Sequence, residues 1–387
     1  MEKKKDGKKE KTIVVIGPVY PYKGGISHYT GLMVRALKER YEVITESYKM
    51  QYPRLLFKKE QRDYSNKTFE IEDAEFLIHT ANPFNWISSK VRIREKNPDL
   101  VIVSWWHPYF SPCYHFLLRG LKKIPVLFIC HNVLPHERFV LDRWLTRQTL
   151  KRGNLYIVQS KEDEKNLKEL FPKRPYRRTV HPTYNAFRLK GMDKKEARES
   201  LGIAQDEKIL LFFGLVREYK GLEYLITAAP MITRALNGVK IFVVGDFGNH
   251  KEEYVKQIQK SGAEEIFEIR DGYVPDEEVE PYFAAADLTV CPYVSATQSG
   301  IVQISFGFNV PVIATAVGGL PEAVTDQKTG YVVEPKNPQA IADAVIRYFE
   351  EGKEEEFREN VRSESERFSW EHFVDVVEDL WKEADGR

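Results

Sequence analysis

Short apolar runs recur along the chain and predict strands. In the first half they fall at Thr12–Ile16 and at 99–104, 124–130 and 155–159. After a break they resume at 209–213, 239–244, Leu288–Cys291 and 310–314. Most are apolar at every position rather than every second one, the pattern of strands covered on both faces by helices. Between them, apolar residues spaced three or four apart predict helices over 26–40, Lys161–Leu170 and 222–236. Near the end come helices at 338–349 and 352–358 and an amphipathic last one over 369–383. Strand and helix alternating over the whole length predict an α/β chain with two parallel, doubly wound sheets. The expected boundary lies at 187–195, where a new charged helix (192–201) precedes a new first strand. The expected division is a charged flexible tail (1–11), two domains (12–187 and 188–365) and a terminal segment (366–387).

Composition narrows the class. The chain has 387 residues, too many for one compact core and suited to two domains of ordinary size. Hydrophobic residues make up 42% and aromatics 12%, which excludes general disorder. The formal net charge of +1 hides an asymmetry: residues 1–190 carry +17 and the remainder −16. The basic half either meets something anionic or is solvated surface; the sequence leaves both open. Its cations are spread out with no recognition motif, so nucleic acid is not an expected partner. Cys113, Cys130 and Cys291 are too far apart in sequence for a disulfide framework or zinc spacing and read as small core residues of a reducing compartment. With no signal-type apolar segment after the charged start, the expected location is cytoplasmic.

Loops that follow the predicted strands can carry chemistry. Gly24 and Gly25 stand between the first strand and the first helix, where glycine lets backbone approach a ligand and a helix start offers N–H groups to phosphate. The spacing is not the dinucleotide G-x-G-x-x-G, so NAD and FAD are unsupported. His131 and Asn132 follow the apolar run 124–130, and His107 follows Trp105 and Trp106; each sits where ligands collect in open α/β sheets. Either histidine can bond a sugar hydroxyl or cap a turn, and the tryptophans read first as core. Gly214, Arg217 and Lys220 form a glycine-flanked loop with two cations, which either hold a diphosphate or, taken alone, are surface charges. Gln298, Ser299, Gly300 and Ile301 lead from a strand into a helix, a second phosphate cradle. Glu322 follows Gly318, Gly319, Leu320 and Pro321 after the last predicted strand.

Taken in order, Gly24-Gly25, His131-Asn132, Arg217/Lys220-Gly221 and Pro311-Val312-Ile313-Ala314 with Gly318-Gly319-Leu320-Pro321-Glu322 resemble the family 4, or group 1, retaining glycosyltransferases of the GT-B fold over nearly the full length. The resemblance implies two Rossmann-like domains facing a central cleft and a last helix, beginning near Ser369-Trp370, that crosses back to the N-terminal domain. It implies a nucleotide diphosphate sugar as donor, held by Gly24, Gly25, Gly214, Gln298, Ser299, Gly300, Ile301 and Glu322. Arg217 and Lys220 would neutralise the diphosphate and His131 would line the sugar. The acceptor would sit on the N-terminal side, near His107 and Asn132. No cofactor and no metal are implied; the leaving phosphate helps to deprotonate the incoming hydroxyl, and the sugar keeps its anomeric configuration. The acceptor is expected to be a saccharide or lipid-linked molecule in cell-envelope polysaccharide or glycolipid assembly.

The sequence departs from the family twice. Two glutamates eight positions apart usually precede the Pro-Val strand; here Ala296 and Ile304 stand there, with Gln298 and Gln303 nearby. The first arginine sits two positions late, with Leu215 at its usual place. Besides transfer, a GT-B sugar-nucleotide epimerase and a non-catalytic binding partner therefore remain as alternatives. Finally, residues 135–152 combine Phe139, Val140, Trp144 and Leu145 with Arg138, Arg143, Arg147, Lys151 and Arg152. They predict a helix that either packs normally or lies on an anionic membrane at its inner face.

Overall fold

A computed structural model describes residues 11–58, 60–64, 67–121, 123–135, 139–182, 187–296 and 298–385. Residues 1–10 of the expected tail and Arg138 of the candidate amphipathic segment lie outside the described residues. The chain forms two compact units, one running to Thr179 and resuming at Trp370, the other spanning Val180–Ser369.

In the first unit the order is β1 (Thr12–Ile16), α1 (Gly25–Lys38), β2 (Glu42–Met50), β3 (Glu75–His79), α2 (Pro83–Glu95), β4 (Leu100–Trp105), α3 (Ser111–Leu118), β5 (Val126–Cys130), α4 (Asp142–Leu150), β6 (Leu155–Val158), α5 (Lys161–Leu170) and β7 (Tyr176–Arg178). The seven strands pair in parallel in the order β3-β2-β1-β4-β5-β6-β7. Strands β4, β5 and β6 are buried at every residue, which is why they read as unbroken apolar runs. Strands β2 and β7 carry charged residues within them and β3 is only a short apolar run edged by Glu75 and His79, so none reads as a long apolar strand; β2 even buries Glu46 completely.

The second unit begins with α6 (Lys194–Leu201), started by a capping box between Asp193 and Glu196 and stopped by left-handed Gly202. It continues β8 (Lys208–Phe213), α7 (Leu222–Ala235), β9 (Val239–Gly245), α8 (Lys251–Ser261), β10 (Phe267–Asp271), α9 (Val279–Ala285), β11 (Leu288–Cys291), α10 (Gly300–Gly307), β12 (Val312–Thr315), α11 (Leu320–Ala323), β13 (Gly330–Val333), α12 (Pro338–Glu350) and α13 (Glu354–Ser363). Its six parallel strands run β10-β9-β8-β11-β12-β13. Inside it, Arg198 of α6 meets Asp287 at 2.8 Å with both side chains buried, and Asp287 also accepts the Ile209 N–H of β8 at 2.6 Å. The last helix, α14 (Trp370–Asp385), returns to the first unit and packs on α1.

Both sheets reverse their strand order beside the first strand, between β1 and β4 and between β8 and β11. In such sheets the crevice for a ligand opens beyond the carboxyl ends of those strands. The loops with Gly24, His107, Gly214 and Gln298 follow those four strands, whereas His131 follows the neighbouring β5 and Glu322 follows β12.

One expectation needs correction. The helix predicted over 135–152 is α4, which starts only at Asp142. Leu134 and Pro135 are buried, and the Asp142 carboxylate accepts the Phe139 N–H at 3.2 Å, fixing a turn before the helix.

Candidate functional site

In the first unit, β1 ends at a turn whose Gly24 has φ +102°, a backbone few side chains tolerate, and Gly25 opens α1. His131 directly follows β5. Its backbone N–H donates to the Trp105 carbonyl at 2.8 Å, and its mostly buried ring meets the Tyr29 ring edge-on at 4.6 Å. Tyr29 is held in turn by Gln159, whose amide donates to its hydroxyl at 2.8 Å, and by the rings of Trp370 and Phe373 from α14. Asn132 is half-buried, and the Val133 N–H that follows it donates to the buried Asp163 carboxylate at 2.6 Å, pinning the loop to α5. His107 accepts the Tyr109 N–H on Nδ1 at 3.1 Å, capping a short turn before α3. Trp105 is wholly buried, and Trp106 packs on Phe110 at 4.2 Å, so both belong to the core.

In the second unit the predicted residues converge more closely. Lys220 is 6% exposed, and its Nζ points back at the Phe213 carbonyl, 3.4 Å away at the end of β8. A methyl group on Gly214 would stand 2.9 Å from that ammonium and 3.3 Å from Ile301 Cδ1, so Gly214, Lys220 and Ile301 meet at one point. Ser299, the residue before α10, lies 3.3 Å from the Tyr293 hydroxyl, and the Lys220 ammonium sits 5.5 Å over the Tyr293 ring. Arg217 donates through Nη1 to the Val216 and Asp246 carbonyls at 2.8 and 3.2 Å. Neither Arg217 nor Lys220 forms an ion pair with a described carboxylate.

Burial lowers the Lys220 ammonium to about 8, and the nearby Arg217 charge pushes the same way. The Cys291 thiol beside it is pushed up to about 12 by burial, so it stays neutral near pH 7. An under-neutralised, desolvated cation next to a second cation and the start of a helix is a receptor for an anionic oxygen. Glu322 lies on α11, where its carbonyl accepts Arg367 at 2.6 Å; Gln298 is half-buried two residues before Gly300. Gln303 is 1% exposed, with neither amide atom bonded to a described residue. Among the described residues no three His, Cys, Asp or Glu side chains gather as a metal site.

Sequence reasoning missed Tyr29, Asp163 and Tyr293, each of which fixes a predicted residue. Tyr29 and Asp163 lie on helices predicted as packing elements, and nothing in their local pattern separates them from core. Tyr293 lies between β11 and Gln298, and its role depends on where Lys220 turns.

Residues 193–367 match the family described as glycosyl transferases group 1, and residues 23–185 match glycosyltransferase family 4. Similar curated proteins include an uncharacterized glycosyltransferase of Methanocaldococcus jannaschii, 28% identical over 53% of this chain and 52% of its own length. Another is the D-inositol 3-phosphate glycosyltransferase of Mycobacteroides abscessus, 28% identical over 51% of this chain and 45% of its own. The chain thus spans about half the length of these two. Among solved structures, sucrose-phosphate synthase of Thermosynechococcus elongatus has a TM-score of 0.76 at 18% identity, covering 97% of this chain and all of that one. The Anabaena protein HepE with UDP-glucose has a TM-score of 0.72 at 17% identity, covering 98% of this chain and all of its own. These two structures bear on the fold, which is GT-B, with two Rossmann-like parallel-sheet domains. With the family matches extending over both halves, the chain belongs to the group 1, family 4 glycosyltransferases.

Proposed function

We propose that the protein moves a sugar from a nucleotide diphosphate sugar to a hydroxyl acceptor, with retention at the anomeric carbon. The observation that carries this reading is the buried Lys220 ammonium under Gly214, beside Arg217 and the start of α10. Two fixed cations there offset the charge that grows on a departing diphosphate. His131 lines the sugar, Gly24 and Gly25 approach the phosphates, and Gln298, Ser299 and Glu322 complete the donor grip. The leaving phosphate takes the acceptor proton, so no resident metal is required. HepE was solved with UDP-glucose and with UDP, which supports the nucleotide-sugar class.

The acceptor is a saccharide or lipid-linked hydroxyl, as in cell-envelope polysaccharide or glycolipid assembly. Val140, 99% exposed, lies with exposed Leu141 and Trp144 near Arg143 and Arg147, which supports peripheral contact with an anionic membrane on the cytoplasmic side. No described helix is long and apolar enough to cross a membrane. A non-catalytic role is the second reading, favoured by Ala296 and Ile304 at the usual glutamate positions.

Nucleoside diphosphate release from a panel of UDP-, GDP- and ADP-sugars, in the presence of acceptor extracts, tests the proposal. Release from one donor that falls at least about a hundredfold in Arg217→Ala/Lys220→Ala supports transfer through this site. Nucleotide binding without release from any donor supports the non-catalytic reading. Absence of nucleotide binding overturns both.

A further inference from the structure

Beyond the carboxyl end of β2, in the first unit, lies a second cationic cavity of about 420 Å³. Among the described residues, Lys49, Arg54, Lys58 and Arg62 line it against one acidic residue, Glu60, a balance of +3. Several cations elsewhere in this unit are matched: Lys38 with Asp73, Arg40 with Asp375 and Glu378, Lys96 with Glu75, Arg178 with Glu164. Lys49, Arg54 and Lys58 form no ion pair with a described residue.

The walls are held in place. Arg62 is anchored through Nη2 to the Tyr22 hydroxyl at 3.0 Å and the Lys49 carbonyl at 2.8 Å, with its guanidinium 4.9 Å over the Tyr22 ring. The Gln61 side chain bonds both the N–H and the carbonyl of Tyr52, at 3.1 and 2.9 Å, clasping these two residues together. The clasp is stitched to the glycine turn after β1: the backbone N–H of Lys23 donates to the Gln61 carbonyl at 2.9 Å and that of Asp63 to the Pro21 carbonyl at 2.7 Å. The cavity therefore adjoins the Gly24 turn on the same crevice side of the sheet. The outer edge of the clasp is apolar, with Leu55 87% exposed, Leu56 63% and Phe57 42%.

Four cations against one carboxylate suit a group with more than one negative charge, and guanidinium forks suit phosphate geometry. An exposed apolar edge beside such a cavity suits a ligand with a greasy continuation. We propose that this cavity binds a phosphate-bearing group of the acceptor and that the Leu55–Phe57 edge meets an apolar chain attached to it. The acceptor assignment rests on the transferase reading, whereas binding of the phosphate group does not.

The test uses full-length Lys220→Ala protein, in which the second-unit anion site is disabled, and inorganic pyrophosphate as probe in titration calorimetry. Binding should remain, and should weaken on the order of ten- to a hundredfold on adding Arg54→Ala and Lys58→Ala. Arg54→Lys with Lys58→Arg should retain most of it. Both positions are exposed, and an unchanged Tm verifies that the variants fold. Equal affinity with and without the two cations, or no residual binding in Lys220→Ala, overturns the cavity. Co-sedimentation with phosphatidylcholine vesicles containing phosphatidic acid, against glycerol 3-phosphate as competitor, then identifies the source. Vesicle binding that Leu55→Ser/Leu56→Ser abolishes supports a lipid-linked phosphate. Binding of glycerol 3-phosphate with no vesicle binding supports the cavity and overturns the apolar edge. Because no turnover is needed, a protein that transfers no sugar can still pass, and an active transferase can still fail.

Discussion

Gly214 leaves empty the volume into which the Lys220 ammonium reaches: a methyl group on its Cα would stand 2.9 Å from Nζ. The strand-end glycine and the loop lysine are therefore one device, in which absence of a side chain at one position sets the place of the charge at the other. Gly214→Ala should displace the ammonium and also strain a backbone at φ +98°. The strain costs about 1–2 kcal/mol, visible as a lower Tm. Nucleotide affinity should fall about tenfold or more by calorimetry, and unchanged affinity would separate Lys220 from the anion site.

Lys220 also sets a pH dependence. Its folded value of about 8 lies below the ordinary 10.5, so the ammonium is charged at pH 7 and half lost near pH 8. A bound diphosphate favours the charged form and draws the value up again. Nucleotide affinity should therefore hold below pH 7 and decline as pH rises past 8. Binding near pH 8.5 should take up a proton, read from heats in buffers of different ionisation enthalpy. Lys220→Arg, charged throughout, should remove that uptake.

Glu46 carries an opposite burden. Fully buried in β2, with neither carboxylate oxygen bonded to a described residue, it is raised to about 7 by burial, with Glu75 adding and Arg92 and Lys96 opposing. Its unfolded form ionises near the ordinary 4.5, so between pH 4.5 and 7 the folded state holds the extra proton and stability falls as pH rises. The loss is complete above pH 7 and amounts to about 3 kcal/mol. Glu46→Gln should flatten this slope in urea titrations run from pH 5 to 8. A variant that keeps the slope would assign it to other groups.

Trp370 reaches His131 through one intermediate, the Tyr29 ring, which touches both. Trp370→Ala removes one wall of Tyr29 and should loosen the histidine without touching Lys220. The expected result is a severalfold fall in transfer rate with nucleotide affinity unchanged. Equal losses in both would indicate general destabilisation instead.

The central strands were legible because burial on both faces writes itself as unbroken Val, Ile, Leu and Phe; β10 (FEIRD) and β13 (GYVV) sit at the sheet margins, where that constraint relaxes. The loops were legible because each begins where a readable strand ends. What stayed hidden was which neighbours fix them. Tyr29 and Tyr293 take their places only once distant segments meet, and nothing in the sequence showed that the His107 ring accepts the Tyr109 N–H. The cavity after β2 was hidden because β2 itself was not read as a strand.

The return of α14 to the first unit has a consequence for synthesis. A ribosome delivers residues 11–179 long before Trp370, so the α1 surface around Tyr29 emerges without the aromatic rings that finally cover it. The Val180–Ser369 unit, contiguous in sequence, can close as soon as its own residues are out. The first unit is thus completed only after the second, and through that interval its Tyr29 face lacks the rings of Trp370 and Phe373.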